Sequence, residues 1–101
     1  MGNNFGLSER TTNELLNYFK SKPEIKKVVI FGSRAKGNYS TGSDIDFAIW
    51  SDNDTLLDIL SGLEDLSTPY KYDVINYLAL EHEGIKNSID RDGKLFYQRN
   101  D

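Results

Sequence analysis

Gly32-Ser33-Arg34-Ala35-Lys36-Gly37-Asn38-Tyr39-Ser40-Thr41-Gly42-Ser43-Asp44-Ile45-Asp46 is the stretch on which the fold turns, because it joins a Gly-Ser turn to an Asp-x-Asp pair. Ahead of it stands Lys26-Lys27-Val28-Val29-Ile30-Phe31, β-branched and continuous in its apolar part. That is the pattern of a strand covered on both faces, and it stops abruptly at Gly32-Ser33. Beyond it, Asp44-Ile45-Asp46-Phe47-Ala48-Ile49-Trp50 alternates. Ile45, Phe47 and Ile49 share one face of a strand and Asp44, Asp46, Ala48 and Trp50 the other, so two carboxylates project together from one strand end.

Working outward, residues 8–20 predict a helix: Ser8 can cap it, Thr11 with Glu14 resembles a capping box, and Leu15, Leu16 and Phe19 fall on one face. Pro23 and Pro69 each punctuate the chain ahead of an apolar run. Asp52 or Asp54 can cap a second helix reaching about residue 66, with Leu56, Leu57, Leu60 and Leu63 facing a core. Residues 70–77 read as a third strand with Asp73 inside it, residues 80–91 as a last helix ended by Gly93, and residues 94–97 as a short edge strand. The expected fold class is α/β or α+β, a single small mixed β-sheet packed with helices and occupying residues 1–101 as one domain.

Each part of the central stretch has a physical task. Glycine lets the backbone turn tightly beside a ligand, and the amides that follow, with the Ser33 hydroxyl, can donate to phosphate oxygens. Arg34 and Lys36 add cationic charge there, and Ser43 can donate to a phosphate or simply close a turn. Asp44 and Asp46, about 6–7 Å apart by strand rise, can share cations. An all-oxygen set suits Mg²⁺ or Mn²⁺, and two such ions would stabilise the attacking and leaving oxygens of an in-line displacement at phosphorus. Asp73 interrupts an otherwise apolar strand, where a carboxylate is costly unless it is partnered. If its strand lies beside that of Asp46, it completes a cluster serving as metal ligand and proton acceptor.

Composition limits the rest. The 101 residues carry 12 basic against 16 acidic side chains, one histidine and no cysteine. Disulfides, thiolate nucleophiles and cysteine-ligated zinc are excluded. A formal charge of −4 opposes the basic footprint that long nucleic acid requires. Residues 1–7 lack the basic start and apolar run of a signal peptide, and no run of about 18 apolar residues spans a bilayer, so a cytoplasmic location without membrane contact is expected. His82, within Glu81-His82-Glu83, reads as part of a solvated face, and Trp50 and the six tyrosines as core or interface residues.

Strand-Gly-Ser, ten intervening residues, Asp-x-Asp and a later strand aspartate resemble the nucleotidyltransferase superfamily that includes DNA polymerase β. Gly32-Ser33-Arg34-Ala35-Lys36-Gly37 with Ser43-Asp44-Ile45-Asp46 is similar in particular to the minimal nucleotidyltransferase (MNT) antitoxins encoded beside HEPN-domain ribonuclease toxins. The resemblance implies that Asp44 and Asp46 ligate the metals and that Asp73 ligates one metal and assists deprotonation of the acceptor. It implies that Gly32 and Ser33, with Arg34 and Ser43 beside them, bind the nucleotide. It further implies AMP transfer from ATP to a tyrosine hydroxyl of a partner HEPN toxin, with pyrophosphate leaving. Lys36 departs from the arginine common there and offers a point charge without a bidentate fork. The alternative is a nucleotide-binding module that inhibits its partner by complex formation alone. Transfer to a small molecule or to a nucleic-acid end is less well supported, since no second domain or basic surface accompanies the motif.

Overall fold

The computed structural model describes residues 5–40, 42–51 and 56–100. Helix α1 (Glu9–Lys20) leads to strand β1 (Ile25–Phe31), a short helix α2 (Gly32–Lys36), strand β2 (Ile45–Ser51), helix α3 (Leu56–Glu64) and strand β3 (Tyr72–Asn76). A 3-10 turn (Tyr77–Ala79), helix α4 (Glu83–Asp92) and strand β4 (Lys94–Gln98) complete the chain. The strands form one mixed sheet in the order β3-β2-β1-β4, with β1 antiparallel to both neighbours and β2 parallel to β3. This is the expected α+β architecture, with β4 at an edge.

Local chemistry accounts for the elements. Ser8, in extended conformation, caps α1 by accepting the Thr11 N–H on its Oγ at 3.1 Å. Ser8 is therefore the cap residue, while Thr11 is buried in the first turn instead of opening a box with Glu14. The alternation of β2 is realised on both sides of the sheet. Ile45, Phe47 and Ile49 join Val28 and Ile30 beneath α1 and α3, against Leu15, Phe19, Ile59 and Leu63. Ala48 and Trp50 lie on the opposite face with Val29, Phe31 and Ile89 of α4.

In α3 one expectation fails: Leu57 is 82% exposed and Ile59 is buried in its place. Leu57 lies one residue off the Leu56, Leu60 and Leu63 stripe and shares its own side of the helix with Ser61 and Glu64. The proposed caps Asp52 and Asp54 lie outside the described residues. The last helix begins three residues later than the pattern suggested, because the 3-10 turn intervenes and His82 caps α4, its Nδ1 accepting the Ile85 N–H at 3.2 Å.

Phe19 is the centre of the larger core. Its ring meets Phe47 edge-on at 5.4 Å and Phe96 at 6.0 Å, and it is fully buried. Phe19→Ala is expected to lower unfolding free energy by about 3–5 kcal/mol. Urea denaturation followed by far-UV circular dichroism checks this, and a loss under 1.5 kcal/mol would mean that the site collapses around the gap.

Candidate active site

The end of β1, the start of β2 and the start of β3 meet at one end of the sheet. Asp46 is the register partner of Phe31 on one side and of Asp73 on the other, so the two aspartates occupy neighbouring strands about 4.8 Å apart in backbone. Asp44 immediately precedes β2. Its backbone is fixed from ahead by the Ile45 N–H, which donates to the Lys71 carbonyl at 2.9 Å. The structure thus brings all three sequence-predicted carboxylates to one sheet end.

Gly32 begins α2 with φ +75°, a left-handed conformation that favours glycine. A Cβ added there would collide with Asp46 Oδ2, so the missing side chain is what allows that carboxylate to lie against the turn. Ser33 follows, half-buried, its carbonyl accepting the N–H groups of Gly37 and Asn38.

Burial, then the charges of Asp73 and Asp44, push the Asp46 carboxyl up to about 6 from its ordinary 3.8. Desolvation and like charge both disfavour its ionised form, and a divalent cation would relieve both. Among the described residues no three carboxylate or imidazole side chains are already gathered into a metal cage. Asp44 and Asp73 are exposed, however, and Asp46 half-buried, leaving rotamer freedom to two members of an all-oxygen donor set. That set fits a hard divalent cation, and these three residues could hold it.

Asp73 is where the structure corrects the reasoning that singled it out. Its side chain carries no burial penalty, because β3 is an edge strand that buries Tyr72 and Val74 while Asp73, between them, points the other way and is exposed.

Arg34 needs a larger correction. Expected beside a phosphate, it is 1% exposed and engaged within the protein. Its Nε and Nη2 both donate to the Ser43 carbonyl, at 3.2 and 3.0 Å, and Nη1 donates to the Phe5 carbonyl at 2.9 Å. The rings of Tyr39 and Tyr70 each lie 5.0 Å from the guanidinium carbon. A planar cation so enclosed has no access to a phosphate arriving from solvent. Ser43 closes a turn: its N–H donates to the Ser40 carbonyl and its Oγ accepts the Ser40 N–H at 2.9 Å. Lys36 is exposed at the end of α2.

The tyrosines flanking Asp73 have structural partners. Tyr72 shares a 2.7 Å hydrogen bond with Thr68 Oγ1, and Tyr77 stacks on Trp50 at 4.2 Å while donating to Asp90 at 2.6 Å. Sequence reasoning missed Phe5, Tyr39 and Lys71 and left Tyr70 unassigned; these residues act through backbone carbonyls and ring faces around the site. The Gly6 position carried a faint signal, since it precedes a capped helix at a point where the chain needs φ +77°.

The described family model that matches is the polymerase beta nucleotidyltransferase domain, over residues 13–101. A Methanocaldococcus jannaschii protein provisionally named a protein adenylyltransferase is 32% identical over 93 residues, covering 90% of this chain and 80% of that protein. The protein adenylyltransferase MntA of Aphanizomenon flos-aquae is 32% identical over 88 residues, covering 75% of this chain but 59% of that protein. Among solved structures, a toxin–antitoxin complex with AMP-PNP superposes with TM-score 0.71 at 18% identity, over 87% of this chain and 73% of that one. A tri-AMPylated Shewanella oneidensis HEPN toxin in complex with its MNT antitoxin superposes with TM-score 0.67 at 15% identity, over 92% of this chain and 74% of that one. At those identities the two structures establish likeness of fold.

Proposed function

We propose, from the premise that this chain belongs to the polymerase beta nucleotidyltransferase family, that it transfers AMP from ATP to a tyrosine hydroxyl of a HEPN-type toxin. In this reading it is an antitoxin, works as one minimal domain in the cytoplasm and depends on Mg²⁺ or Mn²⁺. The observation that carries it is the placement of Asp46 between the Gly32 turn and Asp73, with Asp44 two residues ahead. Two relatives carry the name protein adenylyltransferase, and one structural neighbour comes from a complex of a tri-AMPylated HEPN toxin with an MNT antitoxin. The neighbour with AMP-PNP supports a nucleotide triphosphate as substrate. Among the described residues no helix is long and apolar enough to cross a membrane.

Gly32 and Ser33 hold the triphosphate, Gly32 by leaving room beside Asp46 and Ser33 through its hydroxyl. Arg34, held by the Ser43 and Phe5 carbonyls between two tyrosine rings, takes no part in nucleotide contact. Asp44, Asp46 and Asp73 would hold the cations, which when bound stabilise negative charge on the attacking and leaving oxygens. Asp73 accepts the proton of the acceptor hydroxyl. The hydroxyl oxygen bonds to the α-phosphorus as the bond to the pyrophosphate oxygen breaks, and pyrophosphate leaves.

The test is incubation of the purified chain with α-phosphate-labelled ATP, Mg²⁺ and host cytosol expressing the product of the adjacent gene. An Asp44→Ala/Asp46→Ala chain and a metal-free sample serve as controls. Metal-dependent label on the partner, absent with the double variant, is expected. An unlabelled partner that is nevertheless silenced by stoichiometric complex formation would establish the binding-module alternative instead.

A further inference from the structure

We propose that Arg34 is the positioning residue of this site, and that through it the segment ahead of α1 becomes part of the catalytic scaffold. The backbone carrying Asp44 is gripped from both directions: the Ser43 carbonyl takes two N–H bonds from Arg34, and the Ile45 N–H is held by the Lys71 carbonyl. Asp44 itself is exposed, so these two anchors, and not packing of its own side chain, fix where it starts. A carboxylate that must meet a reacting group gains from such a fixed origin, since misplacement by about 1 Å costs on the order of 100-fold in rate.

The other end of Arg34 reaches 29 residues back, to Phe5. Phe5 and Gly6 both adopt positive φ, +59° and +77°, and Phe5 is the one non-glycine among the described residues to do so. A phenylalanine in that region is held there by its surroundings: its carbonyl is bound by Arg34 and its ring is buried against Phe96 at 6.3 Å. Gly6 in turn lies under Tyr39, where an added Cβ would run into the ring. Tyr39 covers one face of Arg34 and Tyr70, just ahead of β3, covers another. One buried guanidinium thus ties together the N-terminal segment, the α2–β2 connection and the approach to the Asp73 strand.

The test uses the full chain with Arg34→Lys and Gly6→Val, and Ile59→Val as a core variant away from the site. Lysine supplies charge but cannot fork onto Ser43, reach Phe5 and stack between two rings together. Gly6→Val dislodges Tyr39 and the Phe5 carbonyl without altering Arg34 or any carboxylate. Two quantities are read: hydrogen exchange at the Ser40, Ser43 and Ile45 amides, and kcat with KM for ATP. Both site variants are expected to melt cooperatively and to exchange those three amides about tenfold faster than native, selectively. For Arg34→Lys, kcat should fall on the order of 30-fold, with KM within about threefold. Ile59→Val should keep native kcat per folded molecule.

Unchanged exchange in either folded variant, or acceleration spread evenly over the chain, overturns the proposal. So does selective acceleration with kcat held at the native value. Should Arg34→Lys fail to fold, Gly6→Val decides alone. The activity arm rests on the adenylyltransferase reading; if the native chain transfers no AMP, that reading fails by itself and the exchange arm still judges the role of Arg34.

Discussion

Asp46→Asn is expected to lower AMP transfer about 10³-fold and, in the absence of metal at pH 7, to make the chain more resistant to heat. The two effects have opposite signs because the same carboxylate is required by the reaction and resented by the fold. As a cation ligand in the proposed site, its loss should cost about 10³-fold in kcat, equivalent to about 4 kcal/mol of transition-state stabilisation. As a half-buried group facing Asp73 and Asp44, its carboxyl is pushed up to about 6 from 3.8. Between those values the folded chain retains a proton that the unfolded chain releases. Stability from this group is therefore greatest below about pH 4 and declines as pH rises towards about 6. Asparagine removes that decline. Solvent screening of a partly exposed group limits its size, so direction is the diagnostic. Melting curves in EDTA at pH 4.5 and pH 7 should show the advantage of Asp46→Asn growing with pH. A variant that transfers AMP at the native rate, or loses ground to native as pH rises, would falsify the placement of Asp46 at the centre of the charge cluster.

How much of this was legible in the sequence depends on the range of the interaction concerned. The alternation at residues 45–51 is a local signal with a period of two, and both faces of β2 follow it, down to Ala48 on the second core. Ser8 as a cap is equally local. Leu57 escaped because a run of two leucines at the start of α3 leaves the phase of the stripe open, and Ile59 settles it. The register of Asp46 with Asp73 is a pairing across 27 residues of sequence separation that only the packed sheet defines. Of the two reasons that single out Asp73, the pairing of its strand with that of Asp46 holds, while its position on an edge strand removes the burial cost.

Arg34 shows the limit most clearly. An arginine after a Gly-Ser turn satisfies a phosphate or a set of carbonyls with the same five donors. What decides between them is Phe5, far upstream, and two tyrosines, Tyr39 within the motif and Tyr70 well beyond it. No periodicity or spacing rule couples those positions. Residue type was informative about what Arg34 can do and silent about where it goes.

Gly32→Ala, set beside Gly37→Ala, separates a conformational cost from a catalytic one within a single turn of chain. Both glycines bracket α2 with positive φ, +75° and +86°. Alanine in that region costs about 1–2 kcal/mol at either site, so both variants should lose similar stability. Their surroundings differ. At Gly37 an added Cβ meets nothing within 4 Å, whereas at Gly32 it meets Asp46 Oδ2. Relief at Gly32 requires the carboxylate to rotate or β2 to shift, and either movement takes Asp46 away from its position beside Asp73. Gly32→Ala is therefore expected to lower kcat on the order of 100-fold, while Gly37→Ala stays within about threefold of native. Label transfer at saturating ATP, normalised to the folded fraction at 20 °C, measures both. Equal losses in the two variants would mean that the turn matters only for stability, and the close approach of Gly32 to Asp46 would lose its place in the reaction.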